Sequence, residues 1–318
     1  MRRSIILIAL SFLLLLLNNC GHKQNGTVTD KTLKIAYNVL IDEDNADYEI
    51  FTMNLDGSEK TNISNSKSID WVYYAYKDKI YFVSDRDTTA RKFLLYQMNI
   101  DGTNVKRISQ FLLDDSWITS RKNASEFIIA SSKDSSLHEL YLIDSTGNEI
   151  ERLTDNDYYD TDACFSPDGQ QIVFRSRRPK IDELWIMDLD GKNLRQLTYY
   201  PESDLSAGEF DYHAGPPYWE SHSNLISFTS KQNNNYSIFT IKPDGSGLKQ
   251  LTFGIYDEMW HSWSPDGLRI VFDGTDEDKN YDIYLMNSDG TNIERLTSDD
   301  QFEQAPVFVS VPGPVKKG

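Results

Sequence analysis

One ten-residue block constrains this chain more than any other feature. Phe165-Ser-Pro-Asp-Gly-Gln-Gln-Ile-Val-Phe174 returns as Trp263-Ser-Pro-Asp-Gly-Leu-Arg-Ile-Val-Phe272. The first copy runs on into Leu184-Trp-Ile-Met-Asp-Leu-Asp-Gly191 and Arg195-Gln-Leu-Thr198, the second into Ile283-Tyr-Leu-Met-Asn-Ser-Asp-Gly290 and Arg295-Leu-Thr297. A block of this size is one supersecondary unit that cannot bury its apolar face alone, so a chain that repeats it must stack the units. The turn pairs set the register: Asp56-Gly57, Asp101-Gly102, Thr146-Gly147, Asp190-Gly191, Asp244-Gly245 and Asp289-Gly290, with glycines 45, 45, 44, 54 and 45 residues apart. Asp-Gly between two β-patterned runs marks a hairpin, because the favoured two-residue turns need positive φ.

Columns appear when the chain is aligned on these turns. Six residues before each pair stand Ile50, Leu95, Leu140, Leu184, Ile238 and Ile283, followed by the aromatics Phe51, Tyr96, Tyr141, Trp185, Phe239 and Tyr284. Three before it come Met53, Met98, Ile143, Met187, Ile241 and Met286. Apolar columns of this kind are core packed between sheets, not a cofactor box. Each repeat then reads as four short strands, and a spacing near 45 with four strands suits a propeller blade. The ends give the closure. Leu33-Lys-Ile-Ala-Tyr37 matches a second strand whose first is missing, and Gln304-Ala-Pro-Val-Phe-Val309 matches a first strand with nothing after it. The reading is an all-β, six-bladed β-propeller over residues 33–310, closed by a C-terminal strand (304–309) that completes blade one.

The Ser-Pro-Asp-Gly, Asp-Gly and Leu-Thr set resembles the TolB-type β-propeller repeat (PD40, WD40-like), with residues 165–198 and 263–297 closest to the pattern. TolB-type proteins carry an α/β domain before the propeller, whereas here a short polar stretch precedes blade one. The resemblance implies the fold and a cell-envelope location, with a role beside a Tol–Pal system as a weaker implication. The same repeats resemble those of oligopeptidases and oligogalacturonate lyases, so fold alone does not assign function.

The start of the chain reads as an address. Met1-Arg-Arg3 and the apolar run Ile5 to Leu17 form a secretory signal, too short for a comfortable membrane span. The run ends in Leu17-Asn-Asn-Cys20, which resembles a bacterial lipoprotein signal and implies lipidation of Cys20; an uncleaved membrane anchor is the alternative. Residues 1–19 are thus expected to be a signal peptide, 20–32 a lipidated cysteine with a flexible tether, and 311–318 a tail. Acyl chains would provide the only membrane contact, most simply at the outer membrane, facing periplasm or cell surface. A formal net charge of −17 argues against nucleic acid as a partner. Cys164, at a strand start, reads as a small buried hydrophobe.

Four constellations are candidates for function, all on the face that carries the links from each fourth strand to the next first strand. Six residues after each terminal Thr or Ser stand Asp70, Asp115, Asp160, Asp204, Glu258 and Glu303. If equivalent, they ring the channel mouth and attract cations; the alternative is that each caps backbone N–H groups of its own loop. Thr198 to Trp219 spans about ten residues more than the matching links, an insertion that includes Asp211, Tyr212, His213 and Tyr218, with Trp260 expected nearby. Long loops rich in Tyr, Gly and Pro are where function is commonly grafted. His138, His213 and His261 fall on the same face, and would be metal ligands if they converge. Arg175-Ser-Arg-Arg-Pro-Lys180 is a basic cluster whose Arg177 and Arg178 would hold an anionic ligand, or else balance nearby acids. No nucleophile elbow, zinc-protease motif or phosphate loop appears.

The expected function is therefore a non-enzymatic, monomeric, lipid-anchored envelope scaffold binding a protein, peptide or envelope glycan, with no cofactor. The alternative is a metal-dependent enzyme on acidic sugars, resembling oligogalacturonate lyase, with a divalent metal on the three histidines.

Overall fold

A computed structural model describes residues 33–114, 117–178, 181–208, 211–253, 257–275 and 280–312. The signal segment, Cys20 with its tether, Asp115 and the last residues of the tail lie outside the described residues. Among those described, every regular element is a β-strand.

The strands form six separate four-stranded antiparallel sheets. Blade one takes Glu303–Ser310 as its first strand, followed by Leu33–Asp42, Asp47–Asn54 and Thr61–Asn62; blade two is Asp70–Tyr76, Lys79–Ser84, Leu94–Asn99 and Lys106–Arg107. Blade three is Thr119–Arg121, Glu126–Ser131, Glu139–Asp144 and Glu149–Arg152; blade four is Asp160–Phe165, Gln171–Ser176, Glu183–Asp188 and Arg195–Gln196. Blade five is Tyr218–Trp219, Ile226–Gln232, Asn235–Ile241 and Lys249–Gln250; blade six is Glu258–Trp263, Arg269–Thr275, Tyr281–Asn287 and Glu294–Arg295. Closure is by the C-terminal strand, which pairs antiparallel with Leu33–Asp42 from Leu33 opposite Ser310 to Val39 opposite Glu303. Pairing the two ends of the chain removes the open sheet edge that a linear stack would expose.

The core is a ring of six apolar clusters, each lying between two neighbouring blades. Blade one meets blade two through Ala36, Ile50 and Val307 against Val72, Phe82 and Met98, and blade six meets blade one through Val271 and Ile283 against Tyr37 and Met53. The first apolar column is fully buried in all six blades: Ile50, Leu95, Leu140, Leu184, Ile238 and Ile283.

Two motifs gain a physical role. The hydroxyl that ends each fourth strand accepts the backbone N–H of that first column: Ser64 from Ile50 (2.9 Å), Ser109 from Leu95 (2.8 Å), Thr154 from Leu140 (2.9 Å), Thr198 from Leu184 (2.8 Å), Thr252 from Ile238 (2.9 Å) and Thr297 from Ile283 (2.9 Å). Leu-Thr thus ties the outer strand to the third strand of its own blade. At four of the six junctions the turn glycine ties blade to blade. Gly102 has φ of +79°, and a Cβ built on it would lie 2.1 Å from the carbonyl oxygen of Ile63 in the preceding blade. Only glycine permits both the conformation and the approach.

Candidate functional site

The links between blades end on buried acids. Asp70, Asp160, Glu258 and Glu303 each open the first strand of their blade and are almost completely buried. Asp70 is held by Arg86, whose Nη2 donates to both carboxylate oxygens at 3.0 and 2.9 Å. Asp160 is held by Arg178 at 2.7 and 3.0 Å and by Ser176 Oγ at 2.5 Å. Arg178 in turn stacks over Tyr158, Phe174 and Trp185. Glu258 and Glu303 have fewer compensating charges. Burial pushes the Glu258 carboxyl up to about 8 and that of Glu303 up to about 7, the latter opposed in part by Lys60. Asp70 and Asp160 thus each face a guanidinium, whereas burial shifts Glu258 and Glu303 toward the protonated form near neutral pH.

Asp204 occupies a different place. The insertion delays the first strand of blade five until Tyr218, so Asp204 lies in the loop. Its carboxylate accepts from Ser206 N (2.9 Å) and Asn233 N (2.8 Å), pinning the loop to the hairpin between the second and third strands of blade five.

The insertion is fastened at several further points. Asp211 accepts from Lys231 Nζ (2.9 Å), Tyr236 Oη (2.7 Å) and Gly208 N (2.9 Å), and these donors hold its carboxyl down to about 2 despite some burial. Ala214 N donates to Asp182 O at 3.1 Å. The Tyr212 ring packs against Tyr236 at 6.2 Å and under the Arg175 guanidinium at 5.1 Å. His213 is buried, with its ring edge-on to Tyr200 at 4.7 Å, and burial lowers its basicity. Tyr199 and Leu205, by contrast, are 72% and 91% exposed.

Arg177 is paired within the chain: its Nε donates to Asp182 Oδ1 at 3.0 Å, and Arg175 donates to the other oxygen at 2.9 Å. On the channel axis, Trp260 lies 6.2 Å from Tyr73, which lies 6.3 Å from Trp117, so the channel is packed with aromatic rings at this level. His261 is buried beside them, 2.7 Å from Ser227 Oγ, and desolvation pushes its imidazole down to about 4, leaving it neutral. His138 sits edge-on to Tyr159 at 5.1 Å. Among the described residues, no three His, Cys, Asp or Glu side chains come together to hold a metal. At the Ser-Pro-Asp-Gly end of the channel a cavity of about 470 Å³ opens, lined by Tyr74, Tyr218, Trp219 and Arg121. Tyr218 thus belongs to the channel wall more than to the insertion.

Sequence reasoning missed two sets of residues. One is Arg86, the guanidinium partner of Asp70; Arg178, singled out in the basic cluster, balances Asp160, and the two share the signal Ser-x-Arg at the end of the second strand (Ser84-Asp-Arg86, Ser176-Arg-Arg178). The other is a column of buried acids immediately before the first apolar column: Glu49, Glu139, Glu183 and Asp282.

Fold and repeat together define a six-bladed propeller of the Ser-Pro-Asp-Gly/Leu-Thr class. Residues 123–215 match the family described as dipeptidyl peptidase IV (DPP IV) N-terminal region. Two proteins named TolB homolog are similar, one of Chlorobium chlorochromatii, 29% identical over 142 residues (44% of this chain, 31% of that protein), and one of Chlorobium luteolum, 27% over 201 residues (63% and 43%). The chain therefore spans less than half the length of these relatives. The crystal structure of TolB from Acinetobacter baumannii superposes with a TM-score of 0.69 over 88% of this chain and 67% of that one, at 19% identity. The chain thus has the β-propeller fold and is similar to TolB homologues in sequence.

Proposed function

We propose that the chain is a lipid-anchored cell-envelope scaffold that binds a protein or peptide segment bearing basic groups through the face carrying the 199–218 insertion. The anchor would be Cys20, at the end of the Leu17-Asn-Asn-Cys20 pattern, and likeness to TolB homologues supports the envelope as its compartment. One observation carries the choice of face. The insertion is the principal break in the repeat, and although its backbone is tied down it presents Tyr199 and Leu205 at 72% and 91% exposure. Rigidly held, exposed apolar side chains are typical of partner contacts, because little ordering entropy is lost on binding. The buried acids of the first strands fit a supporting role, holding the links at the mouth in place, while the surface of the insertion makes the contact. A glycan would suit the aromatic content equally, but the formal charge of −17 favours a basic partner.

The test is a pull-down from envelope extract, comparing the intact chain with a deletion of residues 203–214 and with the milder double variant Tyr199→Ser/Leu205→Ser. Loss of the same partner in both supports the proposal. Unchanged partners in a folded deletion variant refute it.

A further inference from the structure

The contacts between blades are not uniform around the ring. At four junctions a Cβ on the turn glycine would fall on the preceding blade's carbonyl oxygen: Gly57 on Leu296 (2.4 Å), Gly102 on Ile63 (2.1 Å), Gly147 on Ile108 (2.0 Å) and Gly290 on Leu251 (2.4 Å). Two junctions lack this contact: Gly191, between blades three and four, has nothing within 4 Å, and Gly245, between blades four and five, is 3.9 Å from Leu197 O. A cleft of about 130 Å³ lies at the latter junction, walled by Leu197, Tyr200, Phe228 and Ile241. Its rim carries Tyr199 and Leu248, 72% and 56% exposed.

Glu183 also lines this cleft and makes it more than an apolar gap. It belongs to the buried-acid column, and two of its counterparts carry a guanidinium from the fourth strand of their own blade. Arg152 Nη2 lies 3.4 Å from Glu139 Oε1, and Arg295 Nη2 lies 2.5 Å from Asp282 Oδ2. In blade four the same column holds Gln196, whose amide donates to Thr198 O at 2.8 Å. Glu183 is left with the neutral donors Thr198 Oγ1 (2.6 Å) and Tyr200 N (2.6 Å), and among the described residues no Lys or Arg reaches it. Blade one also has a neutral partner, Asn62 on Glu49, but there the glycine contact is shut. Among the described residues, a carboxylate without a cation and an open junction coincide only between blades four and five; the open junction of blades three and four has Arg152 on Glu139. Burial raises the Glu183 carboxyl above its usual range, and Asp182 adds to this, as expected for an acid whose counter-charge is missing.

We propose that the blade four–five cleft is a pocket for an alkylammonium group, supplied by a lysine side chain of the partner. The methylene stem would lie between Leu197, Phe228 and Tyr199, and the ammonium would take the place at Glu183 that arginine fills in blades three and six. A volume of about 130 Å³ accommodates four methylenes and an ammonium. With one donor already on each Glu183 oxygen, a compact point charge fits better than a planar fork. The acidic chain steers such a group toward the cleft. This rests on the insertion face being the binding face, since Tyr199 and Tyr200 belong to the insertion.

The probe is n-pentylamine, titrated near neutral pH into the ¹⁵N-labelled chain lacking residues 1–20, with 1-pentanol as the neutral control and backbone amides of Tyr200, His213 and Leu248 as reporters. The amine is expected to shift these amides with at least about tenfold higher affinity than the alcohol. Glu183→Gln should remove that preference, and Gln196→Arg, which supplies the cation within the chain, should abolish amine binding while the remaining amide spectrum stays intact. Equal binding of amine and alcohol, absence of shifts at the cleft, or amine binding that survives Gln196→Arg would each overturn the proposal. The pull-down separates the two levels. A partner lost on deletion of 203–214 but kept by Gln196→Arg refutes the lysine pocket and leaves the face assignment standing.

Discussion

The blade-to-blade contact of the turn glycines predicts that two identical substitutions in identical turns differ in cost. Gly102 and Gly191 both have φ of +79°. Alanine at either position must adopt a left-handed conformation, which costs about 1–2 kcal/mol. Gly191 has nothing within 4 Å of the added Cβ, so Gly191→Ala should lose no more than that. At Gly102 the Cβ would sit 2.1 Å from Ile63 O, more than an ångström inside ordinary van der Waals contact. The two blades must part there, and overpacking of this kind adds about 1–3 kcal/mol. The stabilising loss of unfolded-state freedom is common to both and cancels. Urea denaturation of the chain lacking residues 1–20, followed by tryptophan fluorescence, should therefore place Gly102→Ala about 1–3 kcal/mol below Gly191→Ala. Equal midpoints would show that the glycine contact does not join the blades, and the account of the Asp-Gly motif would fail.

Three further outcomes follow from the ion pairs and buried acids. Arg178→Met should cost about 3–5 kcal/mol in the same denaturation, because it leaves Asp160 buried without its cation. Arg177→Met should cost under about 1 kcal/mol, since Arg177 is one-third exposed and Arg175 also holds Asp182. The Glu258 carboxyl titrates near 8 in the folded chain against an ordinary value of 4.5. The folded state thus holds a proton that the unfolded state releases, and the stability this gives is complete below the ordinary value and lost as pH rises through about 8. Thermal melts of Glu258→Gln against the parent should show the variant gaining roughly 2–4 kcal/mol relative to the parent between acid pH and pH above 8; a constant difference would refute the buried-proton reading.

The fold was legible because its signals are local and repeated. A turn glycine, preceded by Asp in five blades and by Thr146 in the third, one aromatic column and one fully buried aliphatic column recur in every blade, and the unpaired strand pattern at each end gave the closure. The expected closing strand, 304–309, is Glu303–Ser310 in the structure. The site was less legible because its side chains find partners across long sequence separations. The spacing that picked out Asp70 and Asp160 carried no sign that Arg86 and Arg178 would hold them. Asp204 matched the count from Thr198, but the insertion moved the start of the strand, so the position equivalent by count is not equivalent in space. His138, His213 and His261 share a face by topology, yet His261 is committed to Ser227, and each of the other two packs edge-on to a tyrosine. The Leu-Thr motif was visible as a pattern, but its role was not, because the hydroxyl bonds a backbone group 14 residues earlier.

The central claim is that partners dock on the insertion face and not on the face of the Ser-Pro-Asp-Gly turns. Photo-crosslinking in the envelope tests it most directly, with a photoreactive residue placed at Tyr199 in one strain and at Leu268 in another, positions 72% and 62% exposed on the two faces. The account predicts a discrete crosslinked species from position 199 that is absent from position 268. The same species from 268, with none from 199, would contradict it.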